Sequence, residues 1–315
     1  MKAEANSSLT HTTTKQSRFK VWWNLLRPHT LTASFVPVLI GTVYALQMMG
    51  SMKINLPLFI IMLLACMLIQ TATNLFNEYF DFKRGLDNEK SVGIGGAIVR
   101  EGFKPTTVLY LAYGCIASAL LLGIIICIQS SWWLALVGIV SIIVGYLYTG
   151  GPIPIAYTPF GELTSGLFMG IVIIGISFFI QTGEVTSNLI LIAIPASLLI
   201  GSILLANNIR DLDGDKENGR KTLAILVGRK NAIFVLGTIF FISYAWALFL
   251  LFSGIVSPWI LVVFLSLPQA ISAVRGFIGK SLPAEMMPAM IATSKMNTIF
   301  GFLFAIGLLL GFFLY

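Results

Sequence analysis

The stretch SNLILIAIPASLLIGSILLANNIRDLDGD, residues 187–215, joins a long apolar run to a short acidic one. Residues 187–207 carry no charged side chain and match the length of about 20 residues that an α-helix needs to cross a bilayer. Because the acidic residues follow only at the end of the run, we expect a membrane helix whose last turns emerge from the hydrocarbon. This stretch predicts an all-α integral membrane protein.

Similar apolar runs recur throughout the 315 residues, of which 57% are hydrophobic and only 10% charged. A soluble domain has about 25% charged residues, so the bilayer is the expected solvent of this chain. The runs predict nine transmembrane helices: 32–49, 55–80, 106–128, 132–148, 162–181, 187–207, 232–253, 257–274 and 296–314. Residues 1–26 predict a flexible cytoplasmic leader without a cleavable signal, and residues 27–315 a single polytopic domain.

The basic residues predict the orientation of these helices. With nine crossings, 19 of the 20 Lys and Arg residues fall on one side of the membrane, and only Lys53 falls on the other. Basic residues collect on the cytoplasmic side, so we expect a cytoplasmic N-terminus and an outer C-terminus in the cell membrane. The net charge of +7 follows from this topology and does not require a nucleic-acid partner.

The acidic residues follow a different pattern, because nine of the thirteen lie in two short segments. Each segment has polar residues at spacing i, i+3 and i+7: Asn74, Asn77 and Asp81 at the end of the second predicted helix, and Asn208, Asp211 and Asp215 at the end of the sixth. This spacing places each set on one helix face, and a polar stripe in lipid should face a cavity. Four helices separate the segments, so both stripes end at the same membrane face. We therefore expect a central cavity that opens on the cytoplasmic side.

Together the two segments have the chemistry of a magnesium and diphosphate site. Converging carboxylates repel unless a divalent cation bridges them, and Asp, Asn and water oxygens suit Mg²⁺. The candidate metal ligands are Asn77, Asp81, Asp87, Asn208, Asp211 and Asp215. Neighbouring cations could bind the diphosphate oxygens that the metal leaves free: Lys83, Arg84, Arg210, Lys216, Arg220 and Lys221.

The two acidic segments also have two alternative roles. Their charged residues could simply solvate cytoplasmic loops, although an Asn one turn inside a membrane segment has no role in solubility. The acids could instead line a cation pathway in a transporter, but a transporter would place polar residues through the full depth of several helices. Here the polar residues concentrate at the cytoplasmic helix ends.

These residues resemble the motifs of the UbiA-type intramembrane prenyltransferases. The matching pieces are 27–31 before the first helix, Asn77-Glu-Tyr-Phe-Asp81 with Gly85 and Asp87, 146–152 after the fourth helix, and 207–222. The resemblance implies a nine-helix enzyme that joins a polyprenyl diphosphate to an aromatic acceptor, with both Asp segments holding Mg²⁺ and diphosphate. Many members have the last acid of the first motif where this chain has Gly85, whereas an acid at Asp87 resembles the branch that prenylates 1,4-dihydroxy-2-naphthoate.

Resemblance to that branch implies a specific reaction. A polyprenyl group would pass to 1,4-dihydroxy-2-naphthoate with loss of CO₂ and diphosphate, giving demethylmenaquinol in menaquinone biosynthesis. Arg27 and Tyr148 are candidates for binding the acceptor; alternatively, Arg27 is an orientation signal and Tyr148 an interfacial tyrosine. The alternative substrate is 4-hydroxybenzoate or another aromatic acceptor. The loop 150–162, which lacks basic residues, is either a gate to the pocket or a plain hairpin connection.

Overall fold

The computed structural model describes residues 22, 25, 27–86 and 96–314, and over these ranges the chain is a bundle of long helices. The helices are α1 Pro28–Met49, α2 Leu56–Lys83, α3 Pro105–Gln129, α4 Trp133–Thr149, α5 Gly161–Thr182, α6 Ser187–Glu217, α7 Arg229–Phe252, α8 Pro258–Arg275 and α9 Pro283–Leu314. Among the described residues, eight helices are long and apolar enough to cross a membrane, and α4 is apolar but shorter. The predicted all-α membrane fold is confirmed, and the chain is a multi-pass membrane protein.

The two helices that carry the acidic stripes extend beyond the apolar runs that predicted them. Helix α2 continues to Lys83 rather than ending at 80, and α6 continues to Glu217 rather than ending at 207. Hydropathy measures the part of a helix that lies in lipid, whereas backbone hydrogen bonds can continue into the aqueous interface. Both stripes therefore lie on continuous helix, as their spacing requires.

The last helix also begins earlier than predicted, at Pro283 instead of 296. Lys295, assigned by sequence to the preceding connection, consequently lies within α9 and is exposed. The sequence prediction was wrong here because Glu285 and Lys295 lower the hydropathy of a segment that is otherwise rich in Ala and Met, both good helix formers.

Helices α1, α5, α6, α7, α8 and α9 share the largest buried apolar cluster, and α2, α3 and α4 pack beside it. Small residues allow close approach between α5 and α6. Gly170 lies in the π-helical turn Leu167–Val172 of α5, and a Cβ atom there would clash with Ser197 of α6. Close contact through small residues is typical of helices packed in membranes.

Candidate active site

Asp81 of α2 and Asp215 of α6 lie on either side of one guanidinium group. Arg220 places Nη2 3.4 Å from Asp81 Oδ1 and Nη1 3.0 Å from Asp215 Oδ1. All three side chains are largely buried, with exposed fractions of 16%, 10% and 18% for Asp81, Asp215 and Arg220. The ends of the two stripes, far apart in sequence, therefore meet in space at the same end of the bundle.

The same backbone motif ends both helices and sets the position of both aspartates. After α2, Gly85 adopts a left-handed conformation and the amide of Leu86 donates to Asp81 O (2.9 Å). After α6, Gly219 does the same and the amide of Arg220 donates to Asp215 O (3.0 Å). These are Schellman caps, in which the chain folds back over the last turn. The second cap places Arg220 directly beside Asp215.

Tyr157, which sequence reasoning did not single out, completes this cluster. Its ring lies under two guanidinium groups, 4.2 Å from Arg220 Cζ and 5.2 Å from Arg84 Cζ. Burial and then the Asp81 carboxylate raise the pKa of the Tyr157 phenol above its ordinary value. The hydroxyl therefore stays protonated and donates to Asp81 Oδ1 at 3.4 Å. No spacing rule points to this residue, since it lies in the loop 150–162, which contains no acidic stripe.

Arg220 remains charged in this cluster. Burial alone lowers the pKa of its guanidinium, but the Asp215 and Asp81 carboxylates outweigh that effect and raise the pKa above the ordinary value. Its Nε is buried without a hydrogen-bond partner. Arg220 thus brings a permanent positive charge and an unused donor to the meeting point of the two stripes.

A second cluster surrounds Arg27, the described non-glycine residue with a left-handed φ, of 50°. Arg27 Nη2 lies 3.3 Å from Glu78 Oε2, and Glu78 also accepts from the amides of Gly96 (2.9 Å) and Ile98 (3.1 Å). With its amide oriented to suit both neighbours, Asn77 donates to Asp81 Oδ2 (2.7 Å) and accepts from Arg27 Nη1 (3.1 Å). Arg27 is thereby connected to the aspartate site through Asn77.

The remaining polar residues of the α6 stripe have different partners. Asn208 is buried and donates to Glu162 Oε1 of α5 at 2.9 Å. Asp211 is one-third exposed and forms a two-pronged pair with its neighbour Arg210, at 2.7 and 2.5 Å. Asp213, which the spacing places on another face, pairs instead with Arg229 (2.9 Å). Glu162 was also missed from sequence, because its partner Asn208 belongs to another helix.

The six predicted diphosphate-binding cations occupy three kinds of position. Of the six, only Arg220 lies between the aspartates. Arg84 donates to the carbonyls of Thr149 and Gly151, and Arg210 is buried against Asp211 and the sulfur of Met290. The other three are exposed on the same end of the bundle: Lys83, Lys216 and Lys221. Asp87, a predicted metal ligand, lies outside the described residues.

A cavity of about 560 Å³ lies next to this polar region and is enclosed mainly by α2 to α6. Arg27, Asn74, Asn77 and Tyr148 line its polar end, and the wall that continues to Met62 of α2 is mainly apolar, with scattered Ser, Thr and Gln side chains. From Asn77 to Met62 the cavity follows α2 for about 22 Å, at 1.5 Å per residue. Asn74 and Asn77 of the α2 stripe therefore face a cavity, as predicted, and both acceptor candidates line it. The prediction was wrong for the other stripe residues, because Asp81, Asn208, Asp211 and Asp215 are not part of the cavity lining.

The donor chemistry of the described site fits a magnesium ion. No group of three or more His, Cys, Asp and Glu side chains within the described ranges is close enough to hold a metal unaided. Mg²⁺ keeps several waters and is usually held by one or two carboxylates together with substrate phosphates, so fewer ligands are required of the protein. Asp81 and Asp215 supply that pair, and the Asn77 amide lies beside Asp81.

Comparison with known proteins gives concordant matches. The profile described as the UbiA prenyltransferase family matches residues 34–281. A 1,4-dihydroxy-2-naphthoate octaprenyltransferase of Bacillus subtilis (strain 168) is 57% identical over 299 residues, covering 95% of each chain. A UbiA prenyltransferase domain-containing protein 1 homolog of Drosophila melanogaster is 30% identical, covering 92% of this chain and 79% of the relative.

A solved structure shares the architecture at low sequence identity. It is a UbiA homolog from Archaeoglobus fulgidus bound to GPP and Mg²⁺, with a TM-score of 0.65 and 17% identity. The match covers 90% of this chain and 99% of the other.

Proposed function

The chain belongs to the UbiA prenyltransferase family, and from this we propose that it transfers a polyprenyl group from polyprenyl diphosphate to 1,4-dihydroxy-2-naphthoate. The reaction releases diphosphate and CO₂ and yields demethylmenaquinol, a step of menaquinone biosynthesis. The high identity to the Bacillus subtilis enzyme across nearly the whole chain supports this acceptor over 4-hydroxybenzoate. The concentration of polar groups at one end of the bundle favours an enzyme over a transporter.

We propose that the diphosphate binds between the ends of α2 and α6 with Mg²⁺. Asp81 and Asp215 are the principal ligands, and Asn77, Asn208, Asp211 and Asp87 complete the set. Mg²⁺, when bound, stabilises the negative charge that develops on the departing diphosphate. Arg220, charged and held between the two aspartates, adds positive charge at the same place. Lys83, Lys216 and Lys221 are exposed at the same end of the bundle and contact the phosphate oxygens from that side.

The apolar cavity accommodates the prenyl chain. Its wall is mainly apolar toward Met62, and its polar end adjoins the aspartate site through Asn77. Excluding water from the allylic carbon protects a cationic centre from hydrolysis while the C1–O bond breaks. The chain therefore lies in the apolar part while its diphosphate lies at the helix ends.

The acceptor lies at the polar end of the cavity, between Arg27 and Tyr148. Arg27 offers a guanidinium to the acceptor carboxylate, and its two-pronged shape suits that group. Tyr148 offers an aromatic face to the developing allylic cation. The electron-rich acceptor ring forms the new C–C bond to the allylic carbon, the diphosphate leaves with the C1–O electron pair, and loss of CO₂ restores aromaticity.

The observation that carries this proposal is the meeting of Asp81 and Asp215 on Arg220 at the polar end of an apolar cavity. The test is prenyl transfer by the purified full chain in liposomes, with radiolabelled polyprenyl diphosphate and either 1,4-dihydroxy-2-naphthoate or 4-hydroxybenzoate. We expect product and CO₂ only with the naphthoate, and none after EDTA until Mg²⁺ is restored. Product with 4-hydroxybenzoate alone would reassign the acceptor, and no diphosphate release with either would support transport.

We further propose the plasma membrane as the location, with the N-terminus and the aspartate site facing the cytoplasm. The distribution of Lys and Arg supports this orientation, since the cations of the site lie at one end of the bundle and Lys53 lies in the connection before α2.

A further inference from the structure

A groove separate from the candidate active site runs along the side of the bundle, between α7 and α8. It encloses about 830 Å³ and is lined by apolar side chains, among them Phe234, Phe241 and Phe277. A second hollow of about 530 Å³ continues it along α7 to Leu248 and shares Gly237 with it. From Lys230 to Leu248 the groove follows α7 for about 27 Å, nearly the hydrocarbon thickness of about 30 Å.

The groove passes over Gly237, which lines both hollows and contributes no side chain to them. A Cβ atom at Gly237 would meet the side chain of Val274 at 3.8 Å, an ordinary van der Waals contact, so a larger side chain can be introduced there without a backbone clash. Phe234 and Phe241, on the rim, are 75% and 72% exposed. In a protein that crosses a membrane, such an open apolar groove faces lipid and can take an acyl chain.

One end of the groove is basic. Arg229 and Lys230 begin α7, and Lys280 follows α8, and all three line the groove. Arg229 is paired with Asp213 at 2.9 Å, so three cations and one carboxylate leave two positive charges at this end. The charge lies where a lipid headgroup would lie if its chain followed the groove. The basic end of the groove lies at the same end of the bundle as the candidate active site, because Asp213, the partner of Arg229, lies between Asp211 and Asp215 on α6.

We propose that this groove is a binding site for an anionic phospholipid. The phosphate group contacts Lys230 and Lys280, with Arg229 beside it, and one acyl chain lies over Gly237 between α7 and α8. Basic pockets between membrane helices on the cytoplasmic side suit anionic headgroups. The tendency of basic residues to face the cytoplasm accounts for the side on which these charges lie, but it does not account for a groove beneath them.

The test compares lipids that differ only in headgroup charge. The purified full chain in detergent is mixed with palmitoyl-oleoyl phosphatidylglycerol or the matching phosphatidylcholine, and retained lipid is counted by native mass spectrometry. We expect preferential retention of phosphatidylglycerol, reduced on the order of tenfold in Lys230→Gln/Lys280→Gln. The control Lys53→Gln/Lys104→Gln removes the same charge from exposed positions outside the groove, and should retain the lipid like the unaltered chain.

A second variant tests the acyl-chain half of the site. Gly237→Leu fills the groove without removing a charge, and we expect it to lose phosphatidylglycerol as the lysine pair does. The proposal is overturned if the control pair loses as much lipid as the groove pair, or if the groove pair retains it fully. Full retention by a correctly folded Gly237→Leu chain would also overturn it. If that variant does not fold, the comparison of the two lysine pairs decides.

Discussion

Arg220 links the acidic ends of α2 and α6, because its guanidinium lies between Asp81 and Asp215. The guanidinium that the two carboxylates share offsets their mutual repulsion and holds them close. This closeness supports the proposal that both carboxylates bind one metal–diphosphate group. Arg220 thus sets the geometry of the site, and a substitution of Asp81 tests its chemistry.

Replacing Asp81 by Asn should abolish most of the activity while leaving the protein inserted. The change keeps the size of the side chain but removes a metal-binding charge, so we expect at least about a 100-fold fall in prenyl transfer. The matched control is Asp213→Asn, on the same stretch of helix as Asp211 and Asp215 but two-thirds exposed and paired with Arg229. Radiolabelled product from equal amounts of folded protein measures both, and comparable losses would contradict the assigned roles.

Tyr157 offers a separate test of how the arginines are held. Tyr157→Ala removes the ring between Arg84 and Arg220, and a cation–π contact of about 0.5–2 kcal/mol corresponds to a fall of roughly 2- to 30-fold. Tyr157→Phe keeps the ring and loses only a hydrogen bond of 3.4 Å to Asp81, so its effect should be smaller. Steady-state prenyl transfer at saturating Mg²⁺ gives the comparison. Equal losses in the two variants would assign the role to the hydroxyl instead.

The residues of the site divide into those that sequence could predict and those it could not. Asn77, Asp81, Asn208 and Asp215 are indicated by their spacing within one helix, since the period of the helix is known in advance. Tyr157, Glu78 and Glu162 have no such signal, because each acts through a partner on another element. Their importance depends on how the helices pack, which spacing along a single segment does not encode.

At the scale of elements, α2 and α6 end alike. Each has an Asp four residues before a left-handed Gly, Asp81 with Gly85 and Asp215 with Gly219. The apolar runs underestimated the lengths of both α2 and α6, because hydropathy falls before the hydrogen bonds stop. A helix end that leaves the bilayer is better located by its cap than by its apolar run.

Helices α5 and α6 pack together to form part of the cavity wall, and α6 also carries the second polar stripe. The closest contact in this interface is between Gly170 of α5 and Ser197 of α6. Gly170→Val would drive a side chain into Ser197, and we expect a loss of stability of about 1–3 kcal/mol or more, together with reduced activity. The control Gly175→Val lies on the same helix with no heavy atom within 4 Å of the added Cβ. Thermal unfolding in detergent measures both, and equal destabilisation would mean that β-branching, rather than the contact, is responsible.

At the scale of the whole molecule, the bundle offers two environments. Charged groups gather at one end of the bundle around Arg220, and the apolar cavity extends from Asn77 toward the opposite side. A polyprenyl diphosphate has the same division, with a charged head and a long apolar tail. This division supports the proposal that the polar end faces the aqueous compartment that supplies the diphosphate and the soluble acceptor.

The proposed orientation of the bundle can be measured directly. Single cysteines at Lys53 and Lys104 are introduced into a chain whose three native cysteines are replaced by Ala. Because α2 separates these positions and basic residues collect on the cytoplasmic side, Lys53→Cys should react with a membrane-impermeant maleimide in intact cells. Lys104→Cys, at the end of the bundle that carries Arg220, should react only after the cells are opened. The reverse pattern would place the aspartate site outside the cell, on the side opposite to the one that the basic residues predict.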